Sequence, residues 1–214
     1  MRGFFVSLEG VEGSGKSTQA GRLVAALEAA GLPVVATREP GGTTVGERIR
    51  EVLLSIEHHD LSPWAEAMLF TAARAQLVKE VILPKLARGH VVVADRYADS
   101  TLAYQGAGRG LDWSILSAMQ AVLKLRPDLT FLLDLDPAAG LARQASAGAT
   151  PDRLEAEELG FHQRVRQGYL DLVGRAPDQF HVVDASREPD AIAAELLRVT
   201  MERSAAHGIH PALR

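Results

Sequence analysis

Cysteine and asparagine are both missing from the sequence, and aromatic residues make up only 5% of it. Without cysteine there can be no disulfide and no thiolate metal site, which fits a reducing, cytoplasmic setting. Without asparagine there is no Asn-Lys-x-Asp loop of the kind on which guanine selection by GTPases usually relies. No apolar run approaches the ~18 residues needed to span a bilayer, so no membrane partner is expected. An excess of positive charge is also missing: 23 Lys and Arg face 27 Asp and Glu, for a net charge of −4. Nothing global therefore points to nucleic acid as a partner. Met1-Arg2-Gly3 runs straight into the first apolar stretch, so no cleavable leader is expected. The adjacent histidines, His58 and His59, have no nearby His or Cys to complete a metal site and are expected in solvent. The 214 residues are 47% hydrophobic, enough for one substantial α/β core.

What is present is a complete G-x-x-x-x-G-K-[ST] loop: Gly10, Val11, Glu12, Gly13, Ser14, Gly15, Lys16 and Ser17, followed by Thr18. It lies between the apolar run Phe4 to Leu8 and a stretch with Leu23, Val24 and Leu27 at helical spacing, the strand–loop–helix context this motif requires. Glycines let backbone N–H groups turn inward toward an anion, and the helix N-terminus adds partial positive charge. Lys16 would reach the β- and γ-phosphates of a nucleoside triphosphate, and the Ser17 hydroxyl would serve a Mg2+ ion.

Short apolar runs at Phe4–Leu8, Val34–Thr37, Val91–Ala94, Leu129–Leu133 and Phe180–Val183 alternate with helical patterns near 17–30, 44–55, 63–87, 112–125, 138–146, 155–174 and 189–203. This alternation predicts an α/β fold, a doubly wound five-stranded parallel sheet flanked by helices. One domain is expected over 1–203. Within it, a flexible stretch at about 146–156 reads either as a plain surface loop or as a mobile lid carrying Arg153. Residues 204–214 read as a weakly ordered tail.

Ligands of such sheets sit beyond the carboxyl ends of the strands. There the sequence places Arg38-Glu39-Pro40-Gly41-Gly42 and Asp95-Arg96-Tyr97. Arg38 could fork onto a phosphate or pair with Glu39. Asp95 resembles the Mg2+-organising acid of phosphate-loop enzymes, with Arg96 as a second phosphate clamp. Asp134 is a rival for the metal, less favoured because no cation neighbours it in sequence. Phe70 and Arg74, four apart, share a helix face. They suit either a core ring with a surface arginine, or a stacking ring with a donor for a planar base. The polar run Ser100 to Gly106 must face water or a ligand.

Together these segments resemble bacterial thymidylate kinases (dTMP kinases). The matching pieces are Glu9-Gly10 with the phosphate loop, Thr37 to Thr43, Phe70 to Gln76, Asp95 to Tyr97, Thr101 to Gly106 and Asp152 to Glu155. The resemblance implies a fold like that of P-loop nucleoside monophosphate kinases, ATP and dTMP as substrates, Mg2+, and a homodimer. It implies that Glu12 holds the sugar 3′-hydroxyl and that Arg38 and Arg96 bind the monophosphate. Phe70 would stack on thymine and Arg74 would bond its edge. Thr101 and Gln105 would complete base recognition, while Tyr104 would crowd the 2′ side of the sugar. Arg143 would lie against adenine. Some family members carry an arginine in the phosphate loop and others in the lid; here the loop has none, so Arg153 would be the lid-borne version. Glu39-Pro40 could be a cis peptide. The competing reading is another P-loop nucleotide or nucleoside kinase, against which only the Phe70, Arg74 and Gln105 set speaks. A non-catalytic ATP-binding module would leave the acceptor arginines without a purpose.

Overall fold

The computed structural model describes residues 3–148 and 150–210. Five parallel strands, β1 (Phe4–Glu9), β2 (Val34–Arg38), β3 (Val91–Asp95), β4 (Leu129–Asp134) and β5 (Phe180–Asp184), form one sheet in the order β2-β3-β1-β4-β5. All five expected strands are present. All five end one residue later than their apolar runs, so Glu9, Arg38, Asp95, Asp134 and Asp184 are the last strand residues rather than the first loop residues. Register aligns those ends: Asp95 stands opposite Leu8 on one side and Arg38 on the other.

The central strand β1 is buried along its whole length. Alternate side chains serve opposite faces of the sheet. Phe4, Val6 and Leu8 join Leu23 and Leu27 of α1 (Lys16–Ala29) and Leu196 and Val199 of α9 (Pro189–Ala206). Phe5 joins Val92 and Ala94 against Leu77, Ile82 and Leu86 on the other face. The helix expected over 63–87 is α3 (Pro63–Leu77), a π-helical turn (Val78–Ile82) and α4 (Leu83–Ala87). Pro84 explains the break, because it has no N–H for the carbonyl four residues back and its ring crowds that carbonyl. Between β2 and α3 lies α2 (Thr44–Leu54), N-capped by Thr43, whose side chain accepts from Gly46 N–H.

The polar run beyond β3 is helical: α5 (Ala98–Thr101) leads into a π-helical segment, Leu102–Gly108. That segment packs on α8 (Leu159–Arg175) through glycine, since a Cβ at Gly108 would lie 2.6 Å from the Phe161 ring. The chain does not re-enter a helix at 155. Asp152 Oδ1 accepts from Leu154 and Glu155 N–H, closing a turn, and α8 begins at Leu159. Helix α6 (Trp113–Ala121) and α7 (Pro137–Ser146) complete the set. Ser204 to Ala206, expected in the tail, belong to α9, and Ile209 is buried in the core. Residues 211–214 of that expected tail, and Ala149 of the expected lid, lie outside the described residues. His58 and His59 are exposed, and no helix among the described residues is long and apolar enough to cross a membrane.

The phosphate loop leans directly on α7. Gly13 has φ 67, and a Cβ there would sit 2.1 Å from Gly140 O; a Cβ on Gly140 would sit 2.1 Å from Glu12 O. Helix propensity alone would make Gly140→Ala stabilising by roughly 0.5–1 kcal/mol. The contact reverses the sign: G140A is expected to lower the urea midpoint and weaken ATP binding together, and a stabilised variant with unchanged ATP affinity would refute this packing.

Candidate active site

A cavity of about 350 Å³ opens beyond the carboxyl ends of β1, β2 and β3. The phosphate loop forms one end of it, with Gly13, Gly15, Lys16, Ser17 and Thr18 in the lining. Gly15 caps α1 in the left-handed conformation, and Lys16 opens the helix. Lys16 Nζ folds back over the loop, donating to Val11 O at 2.7 Å and Ser14 Oγ at 3.3 Å. Gly10 (φ 147) meets the backbone of Leu133, while Val11 and Ser14 are buried. Ser17 Oγ donates to Asp95 Oδ2 at 2.5 Å. Asp134, the rival acid, is taken by Arg166, whose Nε and Nη2 donate to its two oxygens at 2.7 and 2.9 Å.

Arg96 joins this end to the next. Its backbone has φ 71, and its N–H donates to Leu8 O at 3.0 Å. Nη1 reaches Gly10 O (3.0 Å), and Nη2 reaches Glu12 Oε1 (2.8 Å) and Tyr104 Oη (3.0 Å). Burial raises the Glu12 carboxyl, but Arg96, His162, Lys16 and Tyr104 outweigh it and hold the group at about 2. Glu12 Oε2 is buried without a hydrogen bond, 3.3 Å from His162 Nδ1. An accepting oxygen left over in this way suits a sugar hydroxyl.

The remaining walls carry cations and a ring. Phe70, Thr101, Tyr104 and Gln105 all line the cavity. Arg38 lines it too, with Nη2 resting on Glu47 (2.9 Å) rather than on Glu39. Glu39 and Pro40, joined by a cis peptide, both line the wall. Besides Gly10, Val11 and Ser14 of the loop, three expected arginines lie outside the lining. Arg143 Nη1 donates to Ala185 O at 2.9 Å, next to the end of β5. Arg74 is buried behind the wall rather than on the surface, bonded to Glu39 Oε2, Thr101 Oγ1, Gln120 Oε1 and Tyr97 O. Those bonds occupy four of the five N–H donors of a guanidinium, leaving one for a base edge. Arg153, expected to face the phosphates, points away from them: Nη1 pairs with buried Glu66 at 2.7 Å and Nε donates to Leu53 O at 2.9 Å. From the same stretch, Asp152, Leu154 and Glu155 line the cavity instead, with Gln144 beside them.

Sequence reasoning missed Arg50 and Glu66; Ser100, from the polar run expected to face water or a ligand, lines the cavity. Arg50 lines the cavity and donates to Pro40 O at 2.9 Å. Nothing in a helix sequence distinguishes it from the exposed Arg48 two residues earlier. Glu66 had a signal: it stands one helical turn before Phe70, as Phe70 does before Arg74.

Beneath Arg96 lies Glu9, fully buried, accepting from Tyr97 N–H (2.7 Å), Ser100 Oγ (2.6 Å) and Tyr169 Oη (2.9 Å). Burial, and then the nearby Asp99, push its carboxyl up from 4.5 to about 7, against the opposing pull of Ser100, Arg96 and Tyr169. The folded chain therefore holds a proton that the unfolded chain releases earlier. This contribution to stability is complete below about 4.5 and lost as pH rises through about 7. In Glu9→Gln that loss should vanish, so the urea midpoint of the variant minus that of the parent should grow with pH across this window. A pH-independent difference would contradict the assignment.

A family model described as thymidylate kinase matches residues 8–196. The thymidylate kinase of Deinococcus radiodurans is 53% identical over 204 residues, covering 94% of this chain and 98% of its own length. That of Pelotomaculum thermopropionicum is 50% identical over 204 residues, covering 94% of each. Among solved structures, thymidylate kinase from Ehrlichia chaffeensis matches with a TM-score of 0.78 at 31% identity, covering 94% of this chain and 100% of that one. These matches run through every strand end and loop that builds the cavity, and the chain belongs to the thymidylate kinase family.

Proposed function

We infer that the chain transfers the γ-phosphoryl group of ATP to dTMP, giving dTDP and ADP. One observation carries the reading: a single cavity holds the phosphate loop at one end and Phe70, Thr101 and Gln105 at the other, with Arg96 and Glu12 between. The acceptor oxygen of dTMP is already anionic near neutral pH, so no strong base is required. It attacks the γ-phosphorus as the bond to the bridging oxygen of ADP breaks. The obstacle is the meeting of two anions, and the remedy is positioning and neutralisation.

In this reading the loop N–H groups from Gly10 to Thr18 and the Lys16 ammonium hold the ATP phosphates, with Arg143 beside adenine. Arg38, Arg50 and Arg96 hold the monophosphate. Phe70 stacks on thymine, Thr101, Gln105 and the last free N–H of Arg74 meet its edge, Glu12 accepts from the sugar hydroxyl, and Tyr104 fills the 2′ side. Ser17 and Asp95, bonded to each other at the cavity wall, are two hard oxygen donors of the kind Mg2+ takes alongside substrate phosphates. When bound, Mg2+ would offset the negative charge that the phosphates bring together.

The cysteine-free sequence suits work in a reducing cytoplasm. We also infer a homodimer formed through α2, α3 and α6, helices that leave Val45, Val52, Met68 and Ile115 exposed.

ADP release from ATP and Mg2+ across a panel of nucleosides and monophosphates tests the reading: release should depend on dTMP, and preference for another acceptor would overturn it. Arg153 supplies a second test. Anchored on Glu66, it holds the lid rather than the transferring group. In Arg153→Ala the KM for dTMP is expected to rise while kcat stays within about tenfold of the parent. A collapse of kcat at constant KM would instead return Arg153 to the phosphates.

A further inference from the structure

Glu66, Phe70 and Arg74 share one face of α3, and the Glu66 side chain is fully buried. Glu66 Oε1 accepts from Gln105 Nε2 at 2.8 Å and from Arg109 Nε at 3.3 Å. Oε2 accepts from Arg109 Nη2 at 3.3 Å and pairs with Arg153 Nη1 at 2.7 Å. Arg109 also pairs with Glu157 at 2.5 Å and lies over the Phe161 ring. Two guanidinium groups and two carboxylates thus balance one another, and stability alone would account for those four.

The bond from Gln105 adds something that stability does not require. A side-chain amide has a donating end and an accepting end, and a flip exchanges them. With guanidinium groups on both oxygens, Glu66 can only accept. It therefore captures the NH2 end of Gln105 and leaves Oε1 as the end available to the cavity, which Gln105 lines. We propose that Glu66 is a specificity-positioning residue: by locking the Gln105 amide with its oxygen toward the base, it admits a pyrimidine that presents a ring N–H and refuses one that presents a ring-nitrogen lone pair. Thymine is of the first kind and cytosine of the second. Against cytosine two acceptors would face each other, and a buried acceptor left unpaired weakens binding about five- to a hundredfold. Glu66 touches neither substrate and acts through Gln105. The proposal rests on the reading of this cavity as the dTMP site.

The test is the ratio of the inhibition constant of dCMP to the KM of dTMP, with dTMP as the varied substrate. In Glu66→Gln the substituted amide can donate to Gln105 as well as accept, so the ratio should fall about tenfold, one such bond's worth. Glu66→Asp keeps the charge for both arginines but withdraws the carboxylate by about one C–C bond, ~1.5 Å. It serves where E66Q folds poorly, and it should lower the ratio as well. Arg109→Met removes one cation from the same carboxylate and leaves the bond to Gln105 in place. Its ratio should stay within about twofold of the parent even though stability falls. An unchanged ratio in E66Q and E66D, or an equal fall in R109M, overturns the proposal while the parent remains active on dTMP. A parent inactive on dTMP overturns the reading of the site and this proposal with it.

Discussion

The position of the Arg96 guanidinium organises everything around it. A non-glycine residue with positive φ is uncommon, and holding one costs about 1–3 kcal/mol. Arg96 adopts φ 71 directly after β3, and this turns its side chain back across the end of β1 rather than along the strand direction. There it meets Gly10 O, Glu12 and the Tyr104 hydroxyl. Hydrogen bonds to charged groups contribute about 1.5–3 kcal/mol each, so two or three of them outweigh the backbone cost. The result is one cation bound at once to the phosphate loop, the Glu12 carboxylate and the wall that carries Tyr104. Glu9, below it, holds Ser100 and Tyr169, both within reach of the same guanidinium.

Arg38, Arg96 and Arg153 each rest on a carboxylate, and the burial of these pairs separates them. Arg38 and Glu47 are 55% and 40% exposed, a pair worth about 0–1 kcal/mol, so a phosphate can take Arg38 at little cost. Arg96 with Glu12 and Arg153 with Glu66 are largely buried, and removing one partner from such a pair typically costs about 3–5 kcal/mol. Arg96 need not move, since it already borders the cavity. Arg153 would have to abandon Glu66 and the Leu53 carbonyl to reach a phosphate, which is why an anchoring role fits it better. Asp152 and Glu155 are the acids of residues 152–155 that border the cavity, and the cations that border it are Lys16, Arg38, Arg50 and Arg96.

Much of this was legible in the sequence because two signals are local. The phosphate loop is a contiguous motif, and parallel strands covered on both faces read as short apolar runs. The rule that ligands gather past strand ends then picked out Arg38, Asp95 and Arg96. What stayed hidden depends on side-chain direction and long-range pairing. Arg50 and Arg48 look alike in sequence, yet one faces the cavity and the other solvent. The run from Ser100 to Gly106 follows no ordinary helical period because its second half is π-helical. Arg153 looks unpartnered in sequence because its partner, Glu66, lies 87 positions earlier. Asp134 and Asp95 occupy equivalent strand ends, and only the approach of Arg166 from α8 tells them apart.

If Arg96 unites donor and acceptor ends, the shape of its guanidinium matters and not its charge alone, because a lysine cannot bridge the same three groups. The direct measurement is dTMP-dependent ADP formation by Arg96→Lys, in protein shown by circular dichroism to be folded. Loss of at least about a hundredfold in kcat/KM for both ATP and dTMP is expected. Near-parental values for either substrate would show that the two ends of the cavity work independently, and would contradict the central role given to Arg96.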